Sequence, residues 1–230
     1  MTRLELPNVT AICIDGRPPD AARVEHYRLI LDYMMSTIEF GAVKMLLLED
    51  PKIDGVDFVE VDPIRSLSEY SDFCLLNLHK HVDTDYCLIF QDDGFVLHPE
   101  LWKTIFFEYD YIGAPWPPRP DWPEPNRPDR RVGNGGFSLR SKRLLEFTKD
   151  FEVDGHAEDV VIAVKQRASI EAAGLRIAPM HVALDFAVET AFTESQSMFT
   201  CFGFHHKARV AEALSIISDK KRAYSVPNIV

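Results

Sequence analysis

Short apolar runs alternate with amphipathic stripes through the first half of the chain, and no other feature restricts the fold as much. Residues 9–14, 43–48, 58–61 and 86–90 are strand-like runs, the first ending at Asp15-Gly16. After the first run, Val24, Tyr27, Ile30, Leu31, Met34, Met35 and Ile38 recur at spacings of three and four. That spacing predicts one apolar stripe along a helix, with Gly41 as its stop. Ser66 and Glu69 make a capping box ahead of a helix carrying Leu67, Tyr70, Cys74 and Leu78 on one face. Pro99 opens an expected helix through Phe107, and residues 111–114 read as a further strand. This alternation predicts an α/β fold with a mostly parallel central sheet and helices on both faces.

The second half is less regular. Residues 115–128 read PWPPRPDWPEPNRP, which holds seven of the 15 prolines and two of the three tryptophans. Proline fixes φ and removes a donor, so no regular element fits there. A long, stiff excursion of this kind predicts a functional flap beside a binding site. A strand over 137–140 and a helix capped by Ser141 follow. Glu158-Asp159 opens an expected helix to Gly174, with a strand over 175–178 behind it. The chain closes on Phe202-Gly203-Phe204-His205-His206 and a polar helix. With no repeat and no linker, residues 1–230 read as one domain.

Charge restricts the partners. A net charge of −11 disfavours a non-specific nucleic-acid partner, which needs a basic face to release phosphate counterions. A diphosphate is still compatible, provided a divalent cation stands between the two negative groups. No apolar run approaches the ~20 residues of a membrane-crossing helix, and the N-terminal stretch lacks a signal-peptide core, so a cytoplasmic location is expected. Cys13, Cys74, Cys87 and Cys201 form no C-x-x-C pair and are expected to be buried thiols.

Four constellations carry chemistry. Gln91-Asp92-Asp93-Gly94 follows an apolar strand, and ligands of open α/β sheets gather beyond such carboxyl ends. Adjacent carboxylates beside a glycine turn suit a hard cation, Mn²⁺ or Mg²⁺, bridging to a diphosphate. The structural alternative is a plain Asp-Gly turn, but neighbouring carboxylates repel unless a cation or solvent relieves them. A haloacid-dehalogenase-type phosphatase would need an aspartate nucleophile at position 91, and the Gln91 amide cannot accept a phosphoryl group. Gly133-Asn134-Gly135-Gly136 is neither a dinucleotide fingerprint nor a P-loop. It reads either as a tight turn or as backbone that approaches a sugar ring closely. Glu158 and Asp159 suit a helix N-terminus electrostatically, and the same pair offers a carboxylate base. His205 and His206 sit among aromatics, where packing is the ordinary role unless the fold brings one to Asp93.

In combination these segments resemble the GT-A class of glycosyltransferases. More closely, FQDDGFVLHPELW, YDYIGAPW, VGNGGFSLRS, the later Glu-Asp and FGFH resemble bacterial and fungal glycosyltransferase-like domains of unknown function, over residues 9–206. The resemblance implies a single GT-A-like domain that moves a sugar from a nucleoside-diphosphate sugar, a UDP-sugar favoured, to a hydroxyl of a glycan or glycoconjugate. It implies that Asp93 and His205 hold the metal. Asp159, with Glu158 next, would be the base of an inverting reaction. Asn134, Gly135 and Gly136 would flank the donor sugar, and Asp15 and Arg17 would meet its nucleoside. Gln91 replaces the first aspartate of the family's Asp-x-Asp motif, so the contact there comes from an amide or shifts to Asp92. Two other readings stand beside it: a nucleotidyltransferase, which would show a glycine cluster where this chain has IDGRPPDAARVEH, and a non-catalytic nucleotide-sugar-binding domain.

Overall fold

The computed structural model describes residues 3–117, 127–190 and 196–225. Its central sheet grows outward from β1 (Leu4–Asp15). Parallel strands β2 (Ile38–Leu47) and β4 (Tyr86–Ile89) flank β1, and β3 (Asp57–Glu60) adds in parallel outside β2. Beyond β4 comes β7 (Ser138–Ser141), among the described residues the one antiparallel strand of this sheet, and then β6 (Tyr111–Gly113), antiparallel to β7 and so running the same way as β4. The order β3-β2-β1-β4-β7-β6 is the mixed, mostly parallel α/β sheet that the alternation predicts.

Strand periodicity sends alternate β1 side chains to opposite faces. Val9, Ala11 and Cys13 pack with Tyr27, Ile30, Leu31 and Met34 of α1 (Ala21–Thr37), joined by Ala213 and Ile217 of α7 (Val210–Ser225). Ile12 and Ile14 pack on the other face with Cys74 of α2 (Leu67–Leu76) and Leu145 of α3 (Lys142–Thr148). All four cysteines are buried and unpaired. The Ser66 half of the capping box forms, with its hydroxyl accepting from the Glu69 amide at 3.1 Å, while the Glu69 carboxylate accepts from the amide of Arg65, one residue before the cap, at 2.6 Å.

Two features of this topology position the site. The chain runs β1 to β2 to β3 in one direction and returns to β4 on the other side of β1, so the crevice beyond β1 and β4 is the topological switch point. A small second sheet pairs β5 (Gly94–Val96) antiparallel with β9 (Gly203–His205), and β8 (Ala187–Val188) runs parallel to β9. Its register sets His205 opposite Gly94. That pairing carries the late histidine to the acidic bend.

Several local expectations need correction. Helix α1 stops at Thr37, and Gly41 lies inside β2. There β1 breaks register between Leu6 and Thr10, and a Cβ at position 41 would sit 2.2 Å from the Pro7 carbonyl oxygen. Gly41 therefore accommodates a bulge instead of ending a helix. After Pro99 the chain forms two 3₁₀ turns, Pro99–Leu101 and Thr104–Glu108, because Trp102, with ψ 136°, leaves the helical region and packs edge-on against Phe106, Phe107 and Phe202. The expected helix from Glu158 to Gly174 is broken into α4 (Glu158–Val160), a π turn (Val161–Lys165) and α5 (Arg167–Ala172). Residues 175–178 make only a bridge from Ile177 to Tyr111 before Pro179 leads into α6 (Met180–Phe186). Most of the proline-rich segment, 118–126, lies outside the described residues; its ends are held together by the pairing of Pro115 with Val132. Among the described residues no helix is long and apolar enough to cross a membrane.

Candidate active site

A cleft of about 330 Å³ opens at the switch point. One wall is charged, formed by Asp15 and Arg17 at the end of β1 and by Gln91, Asp92 and Asp93 after β4. The facing wall comes from the loop between β3 and α2 (Ile64, Arg65 and Ser66) and from the first turn of α2 (Leu67 and Tyr70). Asp15 is buried, and its oxygens are fully engaged. Oδ1 accepts from the Arg17 amide (3.0 Å) and Arg17 Nε (2.7 Å); Oδ2 meets Arg17 Nη2 (2.8 Å), Arg23 Nε (2.8 Å) and the Tyr27 hydroxyl (3.0 Å). Burial alone would raise the Asp15 pKa, but the Arg17 bonds and the Arg23 charge outweigh it and hold the group below the usual carboxylate range. A carboxylate offers about four acceptor sites. Asp15 therefore has no acceptor site to spare, and the group of this pair that faces the cleft is the half-exposed Arg17 guanidinium, which also reaches Asp92 at 3.0 Å.

The acidic bend is a tight loop closed by Gln91 and Gly94, which exchange backbone hydrogen bonds of 2.7 and 3.2 Å. The His206 amide donates to the Asp93 carbonyl at 2.8 Å, and the His206 ring caps the following turn at Ala208. Above the bend, His205 Nε2 stands 3.5 Å from Asp93 Oδ1 and 3.2 Å from Gln91 Oε1. Its other nitrogen faces the Glu189 carboxylate at 3.8 Å. Burial would lower the imidazole's pKa, but Asp93 and Glu189 outweigh it and hold His205 up at about 9. Asp93 is burdened by burial in the same way, and His205 brings it below the usual range. Among the described residues no three His, Cys, Asp or Glu side chains cluster as a ready-made metal cage.

The glycine loop joins the bend to the acidic pair. Gly136 lies against the bend: a Cβ there would be 2.3 Å from His205 Nε2 and 2.6 Å from Gln91 Oε1. On the loop's other side Asp159 Oδ2 accepts from the amides of Asn134 (2.9 Å) and Gly135 (3.3 Å), and Oδ1 from the Val160 amide (2.8 Å). Burial and the Glu158 charge push the Asp159 carboxyl up to about 6. Asn134 has φ 62°, in the left-handed region, and among the described residues neither polar atom of its buried amide group has a hydrogen-bond partner. Glu158 has a different setting from its neighbour. It is 3% exposed, with Oε1 2.8 Å from Arg140 Nη2 and Oε2 3.3 Å from the Ser71 hydroxyl, so its carboxylate is committed to an internal ion pair.

The residues singled out in the sequence thus fall into one neighbourhood, with the loop from Asn134 to Gly136 in the middle. Glu189, Arg23, Tyr27 and Arg140 belong to it as well, and sequence reasoning missed them. Only Arg140 carried a signal, as a charge in an otherwise apolar and small-residue strand. The loop's packing makes a sharp prediction. A Cβ at Gly135 would lie 1.7 Å from Glu158 Oε1, and that carboxylate cannot swing away from Arg140. Gly135→Ala is expected to cost about 1–3 kcal/mol, lowering Tm by roughly 3–10 °C in thermal denaturation. An unchanged Tm would show that the loop is not seated on Glu158.

A mostly parallel six-stranded sheet with a charged cleft at its switch point makes this an α/β protein, and its fold matches that of a solved glycosyltransferase. A glycosyltransferase involved in the glycosylation of the major capsid of PBCV-1 superposes with a TM-score of 0.55, over 92% of this chain and 98% of that one. At 11% identity the likeness is one of fold. By sequence, residues 55–205 match the family described as protein of unknown function (DUF5672), and the chain belongs to that family. The matched segment takes in the acidic bend, the glycine loop, the Glu158-Asp159 pair and His205, and leaves Asp15 and Arg17 outside it. No curated protein matches the chain.

Proposed function

We propose that the protein transfers a sugar from a nucleoside-diphosphate sugar to a hydroxyl acceptor, a glycan or glycoconjugate, with inversion at the anomeric carbon. One observation carries this reading: the glycine loop separates Asp159 on one side from Asp93, Gln91 and His205 on the other. A sugar lying along that loop would have a base at one end and a diphosphate-binding bend at the other. The nucleoside occupies the switch-point cleft beside Arg17, and the unpaired Asn134 amide meets sugar hydroxyls.

Asp159 is the base. Three of its roughly four acceptor sites are filled by backbone amides, two of them on Oδ2, which leaves one on Oδ1 for the acceptor's proton. A carboxyl raised to about 6 suits proton abstraction near neutrality. As the acceptor oxygen bonds to the anomeric carbon, its proton passes to Asp159, and the bond from that carbon to the diphosphate oxygen breaks.

The donor set suits a divalent cation completed by substrate phosphates. Asp93 supplies a carboxylate and His205 an imidazole nitrogen, while Glu189 faces the second ring nitrogen as carboxylates do behind metal-bound histidines. When bound, Mn²⁺ or Mg²⁺ would supply charge stabilisation for the departing diphosphate, on the order of several kcal/mol. Because His205 is held protonated by its neighbours, a cation must displace that proton, and its affinity falls with falling pH.

The test is a thermal-shift screen of nucleoside-diphosphate sugars, UDP-sugars first, with and without Mn²⁺. A donor at 100 times its Kd stabilises by about 2.7 kcal/mol, so Tm should rise by roughly 5–10 °C, and only with the metal. Stabilisation by a nucleoside triphosphate with release of pyrophosphate would replace the reading with nucleotidyl transfer. Donor binding with no transfer across an acceptor panel would make the protein a nucleotide-sugar-binding domain.

A further inference from the structure

The Arg140–Glu158 pair lies behind the site, touches none of the groups proposed to react, and is more expensive than a core position needs. Arg140 projects from β7 and is 0% exposed, and Glu158 is 3% exposed. A guanidinium stays charged inside a protein, so it must be matched there. Replacing a buried ion pair by apolar side chains is often neutral or stabilising, so stability alone gives no reason for this one. Its contacts give another reason. Arg140 Nη2 donates to Glu158 Oε1 at 2.8 Å and to the Gly135 carbonyl at 3.3 Å, and Nε donates to the Ser138 hydroxyl at 3.1 Å. Ser138 in turn donates to the same Gly135 carbonyl at 3.0 Å. The guanidinium lies 5.5 Å from the centre of the Tyr111 ring, so the aromatic face limits its movement.

Gly135 is therefore gripped at both ends. Its N–H goes to Asp159, and its carbonyl goes to Arg140 and Ser138. The residue bonded to Arg140 on the helix side, Glu158, is the immediate neighbour of Asp159. One guanidinium thus ties together the strand, the glycine loop and the helix start that carries the base. On the far side of the loop, Gly136 abuts His205 and Gln91.

We infer that Arg140 is a positioning residue: through Gly135 and Glu158 it sets where Asp159 stands relative to the acidic bend. The inference rests on the glycosyl-transfer reading for its functional half. A lysine in its place would keep the charge but lose the pair of rigidly spaced nitrogens, of which Nη2 holds Glu158 and Gly135 while Nε holds Ser138.

The experiment compares wild type with Arg140→Lys and with the double variant Arg140→Met/Glu158→Gln, which leaves no buried charge alone. Three quantities are measured on the full chain: Tm, amide hydrogen exchange at Asn134 and Gly135, and UDP release from UDP-glucose, UDP-galactose and UDP-N-acetylglucosamine with Mn²⁺. The double variant is expected to melt within a few degrees of wild type. Its Asn134 and Gly135 amides, no longer held against Asp159, should exchange about tenfold faster or more. On the sugar that wild type turns over, kcat should fall about 10²-fold, the loss expected of a group displaced by about 1 Å, with KM little changed. Arg140→Lys should recover part of both the protection and kcat. Wild-type protection in the double variant overturns the inference, and so does lost protection with kcat unchanged. If wild type releases UDP from none of the three sugars, it is the transfer reading with these donors that fails; the exchange data still decide whether Arg140 holds the loop to Asp159.

Discussion

Asp93→Asn is expected to lower glycosyl transfer by about 10³-fold while the protein stays folded. The substitution keeps the side chain's shape and removes its charge. The carboxylate it replaces is ionised at any working pH, because His205 holds it below the usual range against the cost of burial. In the proposed reaction that charge anchors the cation beside the departing diphosphate. Losing about 4 kcal/mol of charge stabilisation corresponds to about three powers of ten in rate. The effect on stability should be small. The Asp93 and His205 side chains are 24% and 21% exposed and stand 3.5 Å apart, a partly solvated pair of modest worth. Two measurements check the expectation together. Turnover under saturating donor should collapse, and the Mn²⁺-dependent part of the donor's thermal shift should vanish. Near-normal turnover in this variant would remove the metal from the bend and with it the role of His205.

How much of this was legible beforehand depends on the range of the interactions involved. The stripe from Val24 to Ile38 and the apolar runs of β1, β2 and β4 announce themselves because burial of a face is a local pattern. The capping box at Ser66 is equally local. Gly41 misleads because its reason is a carbonyl of Pro7 on the neighbouring strand, which no window around residue 41 contains. The helix expected after Pro99 fails for the same kind of reason: Trp102 answers to Phe202, a hundred positions away. In the site, the bend at Asp92-Asp93 stands out as unlike its apolar surroundings. Its partners do not. Glu189 follows a two-residue strand and reaches His205 only because β8 and β9 pair. The split between Glu158 and Asp159 is illegible in principle, since adjacent acids at a helix start look alike until Arg140 claims one of them.

That split decides the outcome expected for Asp159→Asn. Transfer should fall by about 10²–10⁴-fold, the usual contribution of a positioned base, while donor and Mn²⁺ binding stay near wild type. Asparagine keeps an oxygen that can accept from the amides of Asn134 and Gly135, so the loop retains its anchor. The pH dependence supplies an independent check. A base acts only when ionised, and burial together with the Glu158 charge raises the Asp159 carboxyl to about 6. In wild type kcat should rise about tenfold per pH unit below that value and level off above it. The same shift has a sign in stability: a carboxyl whose folded pKa lies above its ordinary 3.8 binds more protons folded than unfolded. Ionising it therefore destabilises the fold progressively as pH rises from about 4 to about 6. Asp159→Asn removes that cost, so its Tm at pH 7.5 should equal or exceed that of wild type even as transfer stops. A fall in Tm with loss of donor binding would mark Asp159 as a loop anchor alone, and a product formed with retention at the anomeric carbon would take the base's role from it.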